Sequence, residues 1–315
     1  MFVEAEASTS ISSRCHANSL APESRIPTRT LARREAYASD EDTSGANMNT
    51  AQNGRTTSAD GVDIAYTETG SGPISLLFIH GGLASRAFWA PQLAALGGTF
   101  RMAALDLAGH GDSGRNRDHW SIAAFAGDVC AAAEALDLRN VVLIGNSLGG
   151  PVALEAAPRL AGRSVGVVGI DTLHAAGQVF PPEEARARAA AFRDDFPGAC
   201  AEMCRALFHP GEHLELQAWA LRTMLTMDRE VVARIMESLS GYDLGAAFRN
   251  AGVPIRAING DLWPTEIEAN RTLSPGFEAV IMRGAGHYPM LERPHEFNEI
   301  LAGVANRLAV DGAVR

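Results

Sequence analysis

A serine flanked by glycines stands where an apolar run ends and a helical stretch begins. The segment VVLIGNSLGG joins the apolar run 141–145 to a helix starting near Leu148, and it contains the pattern Gly145-x-Ser147-x-Gly149. A nucleophile on such a sharp strand-to-helix turn has a strained backbone, which requires small neighbours. Backbone N–H groups and the dipole of the following helix favour negative charge beside it. Ser147 is therefore the predicted nucleophile.

A second reactive side chain, His287, lies in a glycine-flanked loop, GAGHYPM, directly after the last predicted strand, 279–284. The end of that strand would bring the imidazole to the carboxyl edge of the sheet, near Ser147. Neutral imidazole can accept a serine proton near pH 7 and return it to a leaving group. We therefore predict that His287 is the general base.

The charge balance excludes several other chemistries. A formal net charge of -10 argues against nucleic acid as a partner, because nucleic-acid binding requires a clustered basic face. The chain contains no lysine, so all 27 of its Lys and Arg positions are arginine. A Ser-Lys dyad, a Schiff-base enzyme and a phosphate-binding loop each need that missing lysine. A small uncharged or apolar substrate fits better.

The cysteines and the hydropathy pattern indicate a soluble, cytoplasmic protein. Four cysteines in 315 residues are too few for a disulfide framework. Cys200 and Cys204 stand one helical turn apart, but no further pair at ligand spacing completes a metal site, so we expect no metal and no cofactor. No apolar run reaches the roughly 18 residues of a membrane-spanning helix, so no membrane partner is expected.

The chain begins with a segment of different composition. Residues 1–55 are rich in Ser, Thr, Ala, Asn and Arg, without a sustained apolar period, and this composition predicts a disordered N-terminal extension. The segment lacks the continuous apolar stretch of a signal peptide. Met48 lies just before the first structured segment, so translation starting near Met48 rather than at Met1 is an open alternative.

From residue 60 onward, short apolar runs alternate with helical stretches. The run 61–72 alternates in polarity and ends at glycines, as hairpin strands do. A helix is predicted after an N-cap at Ser121, with apolar residues at three- and four-residue steps. This alternation predicts an α/β fold with a doubly wound, mostly parallel sheet, whose core comprises 56–175 and 251–315. The buried strands read as continuous apolar runs: 74–79, 101–106, 141–145, 165–170, 254–259 and 279–284.

The stretch 176–250 interrupts the alternation and reads as several helices without a buried strand. We interpret it as an inserted helical lid. Flexible methionine and aromatic side chains in such an insertion can cover a hydrophobic pocket. The apolar side chains concerned are Phe180, Phe192, Phe196, Met203, Phe208, Trp219, Met224, Met227 and Met236.

Four segments in this order make residues 58–308 resemble the α/β-hydrolase family. They are FIHGG (78–82), DLAGHGDSG (106–114), the serine elbow, and GAGHYPMLERPHEFN (284–298). The resemblance implies that the backbone N–H groups of Gly82 and Leu148 form an oxyanion hole. It also implies that His80 and His110 shape loops rather than catalyse.

The acid that should orient His287 is ambiguous. Most members of the family carry it three residues after the glycine that ends the penultimate strand, where this chain has Trp263. Some members, including certain haloalkane dehalogenases, carry it at the end of the preceding strand, which here is Asp171. Asp261 and Glu266 are alternatives, and we favour Asp171.

These residues predict a serine hydrolase that cleaves a carboxylic ester, or a related acyl bond, of a small apolar compound through an acyl-enzyme. Relatives that attack with an aspartate, the dehalogenases and epoxide hydrolases, are disfavoured because Ser147 occupies the elbow. One alternative is a cofactor-free, haloperoxidase-like perhydrolase, and another is a non-catalytic ligand receptor on the same fold. The sequence leaves the acyl chain length and the oligomeric state open.

Overall fold

A single mostly parallel sheet organises the chain. The structure is a computed structural model that describes residues 50–177, 179 and 181–313. Its eight strands lie in the order β1-β2-β4-β3-β5-β6-β7-β8. The β1–β2 and β2–β4 pairs are antiparallel and all other pairs are parallel. The strands are β1 Gln52–Thr57, β2 Asp63–Thr69, β3 Ser75–Ile79, β4 Arg101–Leu105, β5 Val141–Asn146, β6 Ser164–Ile170, β7 Ile255–Asn259 and β8 Glu278–Ile281.

The six continuous apolar runs all form strands, which confirms the predicted parallel part of the sheet. Every residue of β3 and β5 is buried, because these central strands are covered on both faces. The first strand departs from the prediction. β1 begins at Gln52, inside the segment 1–55 that we assigned to the extension. The prediction missed this strand because β1 is an exposed edge strand without an apolar period. Residues 1–49 of that predicted extension lie outside the described residues.

Helices cover both faces of the sheet. A Cβ added at Gly145 would meet the start of α3, whereas one added at Gly166 would meet Leu308 of α11. Gly166 pairs with Val142, which points to the face opposite Gly145, so α3 and α11 lie on opposite faces. The helices are α1 Ala90–Leu96, α2 Ile122–Ala135, α3 Gly149–Arg159, α4 Pro182–Asp194, α5 Phe196–Ala206, α6 Leu214–Met224, α7 Arg229–Ser238, α8 Leu244–Asn250, α9 Ile267–Leu273, α10 Pro289–Glu292 and α11 Pro294–Ala313.

The helix predicted after Ser121 is confirmed. The hydroxyl of Ser121 accepts a hydrogen bond of 3.0 Å from the backbone N–H of Ala124, so it caps the first turn of α2. The helix then buries Phe125 and Val129 against the core. In the part of the chain that the structure describes, no helix is both long and apolar enough to cross a membrane.

Five helices, α4 to α8, occupy the stretch 176–250 between β6 and β7. Helix α4 contacts α5 and α7, and α5 contacts α6, whereas α8 contacts α3 and α9. Among the described residues of this stretch, the only β pairing is one isolated bridge between Val179 and Asp243. Of the apolar side chains singled out here, Phe180 lies outside the described residues and the others are buried or partly buried against the core.

An aromatic cluster connects the inserted helices to the sheet domain. The ring of Trp219 on α6 lies 4.5 Å from that of Phe88, in the short 3₁₀ turn after β3. Phe88 in turn lies 5.2 Å from Tyr288, and Tyr288 lies 5.5 Å from Phe208, all measured between ring centroids. Such pairs add to the stability gained by apolar burial. They fix the position of the inserted helices beside the loop that carries His287.

Candidate active site

Ser147 lies on a strained turn between β5 and α3. Its φ is +52°, in the left-handed region that disfavours side chains other than glycine. Its backbone N–H donates to the carbonyl of Ile170 at 3.2 Å, and its carbonyl accepts from the hydroxyl of Thr172 at 3.0 Å. These bonds to the end of β6 and the residue beyond it hold the strained geometry in place. Ser147 is itself only partly buried.

The glycines around Ser147 are required by close backbone approach. A Cβ at Gly145 would lie 2.0 Å from the carbonyl oxygen of Gly149, and a Cβ at Gly149 would lie 2.4 Å from that of Ile79. Neither oxygen can move without distorting the turn or β3. The Gly-x-Ser-x-Gly spacing therefore reflects how tightly α3 folds back over the sheet.

The loop that carries His287 is fixed by its backbone. The N–H of His287 donates to the carbonyl of Leu207 at 2.9 Å. Its carbonyl accepts from the side-chain amide of Asn146 at 3.1 Å. Because Asn146 directly precedes Ser147, this second bond connects the histidine loop to the serine turn.

A buried carboxylate that the sequence analysis missed, Glu292, also holds this loop. Its two oxygens accept from the N–H groups of Gly286 at 2.7 Å and Tyr288 at 2.9 Å, the residues on either side of His287. Tyr288 is the N-cap of α10, so the bond from its N–H resembles a capping-box contact. A glutamate in the first turn after Pro289 was the available signal.

Asp171 lies at the end of β6 and faces the His287 ring. Its side chain is fully buried, and its Oδ2 lies 2.6 Å from His287 Nδ1. Its Oδ1 accepts from the N–H of Gly260 at 2.9 Å. Burial raises the pKa of Asp171, but the polar contacts and charges of the neighbouring His174 and His287 imidazoles outweigh it and hold the pKa at about 2. The carboxylate is ionised near neutral pH, so Nδ1 of His287 carries the proton and Nε2 is free to accept one.

The other two candidate acids have different positions. Asp261 lies 2.8 Å from His209 Nε2 and accepts from the N–H of Gly284 at 3.0 Å. The Gly284 bond, followed by that from His209, lowers the pKa of Asp261 despite partial burial. Glu266 is exposed at the start of α9. Of the three carboxylates, the structure brings Asp171 to His287.

Four of the five predicted site residues border one cavity of about 770 Å³: Ser147, His287, Gly82 and Leu148. Asp171, the fifth, is buried behind the His287 ring. Inserted helices contribute Phe192, Met203 and Met236 to the cavity wall. The cavity is therefore mostly apolar near Ser147, which suits an apolar substrate.

Left-handed backbone recurs around this cavity. Besides Ser147, the non-glycine residues with positive φ include Leu83 at +59°, Asp171 at +43° and Leu173 at +58°. Leu83 lines the cavity beside Gly82, and Leu173 follows the turn that presents Asp171. The serine and the aspartate are thus both presented from strained turns at the carboxyl ends of neighbouring strands, β5 and β6.

His80 joins two loops and is not among the residues that line the cavity beside Ser147. Its Nδ1 donates to the carbonyl of Gly81 at 2.7 Å, and its Nε2 accepts from the N–H of Leu107 at 3.0 Å. Burial lowers the pKa of His80 to about 4. His110 is also buried, with its pKa lowered to about 3 for the same reason. Both imidazoles are neutral near pH 7, which fits the loop-shaping role that the resemblance implies.

We expect acidification to destabilise the fold through His80. Between pH 6.5 and 4 the unfolded chain binds a proton at this histidine and the folded chain does not, so stability falls as pH falls. From pH 7 to pH 5 the loss in free energy of unfolding from His80 alone is about 2 kcal/mol. Urea unfolding at both pH values checks this. His80→Asn should reduce the difference, and replacing the exposed His119 by Gln should leave it unchanged.

No group of three or more His, Cys, Asp or Glu side chains within residues 50–177, 179 and 181–313 is arranged to hold a metal ion. Cys200 and Cys204 are buried in α5, and burial raises the pKa of both thiols. The sulfur of Cys204 contacts the carbonyl of Gln217 at 3.4 Å. Cys204 therefore packs α5 against α6.

Comparison with known proteins supports the fold described above and a hydrolase activity. The family model described as the alpha/beta hydrolase family matches residues 76–300. The chain is 38% identical over 104 residues to an uncharacterized protein of Mycobacterium tuberculosis, covering 32% of this chain and 30% of that protein. It is 37% identical over 99 residues to a bifunctional esterase/perhydrolase of Acinetobacter calcoaceticus, covering 31% of this chain and 36% of that enzyme. The aligned parts thus span about a third of these curated relatives.

A solved structure extends the similarity over most of the chain. The esterase RhEst1 from Rhodococcus sp. ECU1013 matches with a TM-score of 0.69 at 25% sequence identity. The match covers 81% of this chain and 99% of that esterase.

Proposed function

This chain belongs to the α/β-hydrolase family, and on that premise we propose that it is a serine hydrolase that cleaves carboxylic esters of small, largely apolar compounds. One observation carries the proposal. Ser147 and His287 border the same cavity while the buried Asp171 carboxylate holds His287 through its Nδ1 at 2.6 Å. This arrangement supplies a nucleophile, a base and an orienting acid in the chain order typical of the fold.

In the proposed reaction, Ser147 Oγ attacks the ester carbonyl carbon and its proton passes to His287 Nε2. The negative charge that develops on the carbonyl oxygen is stabilised by the N–H groups of Gly82 and Leu148. The bond to the alcohol oxygen then breaks, and the alcohol leaves with the proton held by His287. Water attacks the acyl-enzyme, giving a proton to His287, and the acid is released as Ser147 recovers its proton. The hydrogen bond between Ser147 Oγ and His287 Nε2 is part of this proposal.

The cavity wall supports the proposed substrate class. Phe192, Met203 and Met236 contribute apolar surface from helices α4, α5 and α7. Two of the charged residues at the wall, Glu184 and Arg188, pair with each other at 2.5 Å. A substrate with a short to medium acyl chain would bury that chain against the inserted helices. In this proposal the stretch 176–250 acts as a lid.

A panel of p-nitrophenyl esters with acyl chains of increasing length tests the proposal. We expect hydrolysis of the short to medium esters and a trapped acyl-enzyme detectable by mass spectrometry. The chain offers a direct readout, because trypsin should release the peptide 140–159, in which Ser147 is the one hydroxyl side chain. An acyl mass added to this peptide assigns the nucleophile. Failure of every ester to turn over or to modify the peptide would contradict the proposal.

A perhydrolase is the second candidate, favoured by the similarity to the esterase/perhydrolase of Acinetobacter calcoaceticus. In this reaction hydrogen peroxide instead of water attacks the acyl-enzyme, and the product is a peracid, which can oxidise halide. Peroxide-dependent halogenation measured beside simple hydrolysis separates the two. Binding of an ester without either reaction would instead favour the ligand-receptor hypothesis.

A further inference from the structure

A second histidine, His174, stands beside the same carboxylate. It lies three residues after Asp171, and its Nε2 is 3.7 Å from Asp171 Oδ1, the oxygen that His287 does not contact. This nitrogen is buried, and no hydrogen-bond acceptor lies within normal bonding distance. The carboxylate oxygen beside this nitrogen is Asp171 Oδ1. A modest approach of the two atoms would bring the Nε2–H of His174 within hydrogen-bonding distance of that oxygen.

The opposite nitrogen of His174 identifies the tautomer. Asn259 Oδ1 accepts from the backbone N–H of Thr172 at 3.2 Å, which fixes the orientation of the amide. Asn259 Nδ2 therefore points its hydrogens to Thr265 Oγ1 at 2.9 Å and to His174 Nδ1 at 3.3 Å. The Thr265 hydroxyl also lies 3.1 Å from that Nδ1. Because Nδ1 faces donors, a neutral His174 carries its hydrogen on Nε2, toward Asp171.

Besides Asp171, the two histidines share a second neighbour, Trp263. The ring of Trp263 lies 6.1 Å from that of His174 and 5.7 Å from that of His287, both in edge-to-face geometry. His174 also lines a second cavity of about 650 Å³, together with Glu184 and Arg188 of α4. The charged groups around His174 are thus Asp171, whose Oδ1 lies 3.7 Å from Nε2, and the Glu184–Arg188 pair, which lines the same cavity.

We propose that His174 is a positioning residue of this site, whose Nε2–H holds Asp171 Oδ1 and so orients the carboxylate toward His287. Its effect on turnover rests on the proposed function. Asp171 receives one hydrogen bond from each side, Gly260 N–H on Oδ1 and His287 on Oδ2. The Nε2–H of His174 faces the same Oδ1 as a second donor, 3.7 Å away, in a contact longer than a normal hydrogen bond. It limits how strongly Oδ2 attracts the His287 proton and restricts rotation of the carboxylate.

Removing this donor has a defined direction of effect. Without His174 the carboxylate becomes a stronger acceptor for His287, so the protonated form of His287 persists to higher pH. Only the neutral imidazole can accept the serine proton. The acid limb of kcat/KM against pH should therefore move to higher pH. The carboxylate also loses part of its orientation, which lowers kcat and leaves KM little changed.

Two variants of His174 test this with p-nitrophenyl ester hydrolysis. His174→Phe keeps a ring against Trp263 and removes both nitrogens, and we expect kcat to fall about tenfold at pH 7, with the acid limb moved up by about one pH unit. His174→Gln places an amide N–H near the position of Nε2 and should restore most of both values. His119→Gln, at an exposed histidine, is the matched control. Equal impairment of the Phe and Gln variants, or a wild-type profile for both, would overturn the proposal.

A nuclear magnetic resonance measurement tests the contact between His174 and Asp171 even if no ester is hydrolysed. In protein labelled with nitrogen-15 histidine, the ring nitrogens of His174 report its tautomer at neutral pH directly. We expect the Nε2–H form, and a change in the Nδ1–H signal of His287 in His174→Phe that is absent in His174→Gln. An Nδ1–H tautomer for His174 contradicts the proposal independently of turnover. If the wild-type protein hydrolyses no ester, that result contradicts the proposed function, whereas the contact between His174 and Asp171 is still tested by the tautomer.

Discussion

Replacing Ser147 by alanine should reduce ester hydrolysis by about 10⁴-fold or more, because the attacking oxygen is removed and only binding and the oxyanion donors remain. The backbone at this position has a φ of +52°, which alanine and serine find equally unfavourable. The variant should therefore fold like the parent chain. Initial rates on the best p-nitrophenyl ester, together with the melting temperature, measure both effects.

The control for this prediction is a serine outside the site. Ser71→Ala changes an exposed serine before β3 and should retain full activity. The tryptic peptide 140–159 should also lose its acyl mass in Ser147→Ala while other peptides are unchanged. Ser147→Ala protein that hydrolyses the ester at the wild-type rate would show that another group is the nucleophile.

Replacing Asp171 by asparagine should lower kcat by roughly 10³- to 10⁴-fold. The amide preserves the size of the side chain but removes the charge that stabilises protonated His287, and it allows the wrong His287 tautomer. The same change at Asp261 should alter kcat by no more than about threefold, because that carboxylate is partly exposed and pairs with His209. Steady-state kinetics of the two variants on one ester give the ranking.

Melting temperatures of the two variants separate loss of chemistry from loss of fold. Asp171 is fully buried and bonded to Gly260 and His287, so Asp171→Asn should also be the less stable of the two. A larger loss of kcat in Asp261→Asn than in Asp171→Asn would transfer the orienting role to Asp261 and contradict the site proposed here.

The buried part of the fold could be predicted from the sequence because burial leaves a continuous apolar pattern. The runs that became β3, β5 and β6 are mostly covered on both faces, so apolar side chains predominate there. Strand β1, in contrast, is mostly exposed and could not be predicted from hydropathy. Its sequence, QNGRTT, lies at the exposed edge of the sheet, where pairing with β2 comes from the backbone and leaves no trace in hydropathy.

The site was only partly predictable for a different reason. Local spacing identified the turn at Ser147 and the loop at His287, since both depend on neighbours within a few residues. The choice between Asp171 and Asp261 depends on which way each side chain leaves its strand, and the positive φ of Asp171 is invisible in the sequence. Glu292 contributes through hydrogen bonds to the backbone of the His287 loop, which only the folded geometry shows. His174 contributes through its position beside Asp171, and the surroundings of that position depend on the order of β6, β7 and β8 in the sheet.

The left-handed turns at Leu83, Ser147, Asp171 and Leu173 set a trade-off for any attempt to engineer heat resistance. Left-handed backbone costs each such residue on the order of 1 kcal/mol, but glycine gives a net gain only where little buried side chain is lost, as at the partly buried Ser147. At Ser147 glycine would also delete the hydroxyl on which the proposed reaction depends. Directed evolution that screens only for thermal tolerance would therefore be rewarded for disabling the enzyme, so selection must demand turnover at the same time.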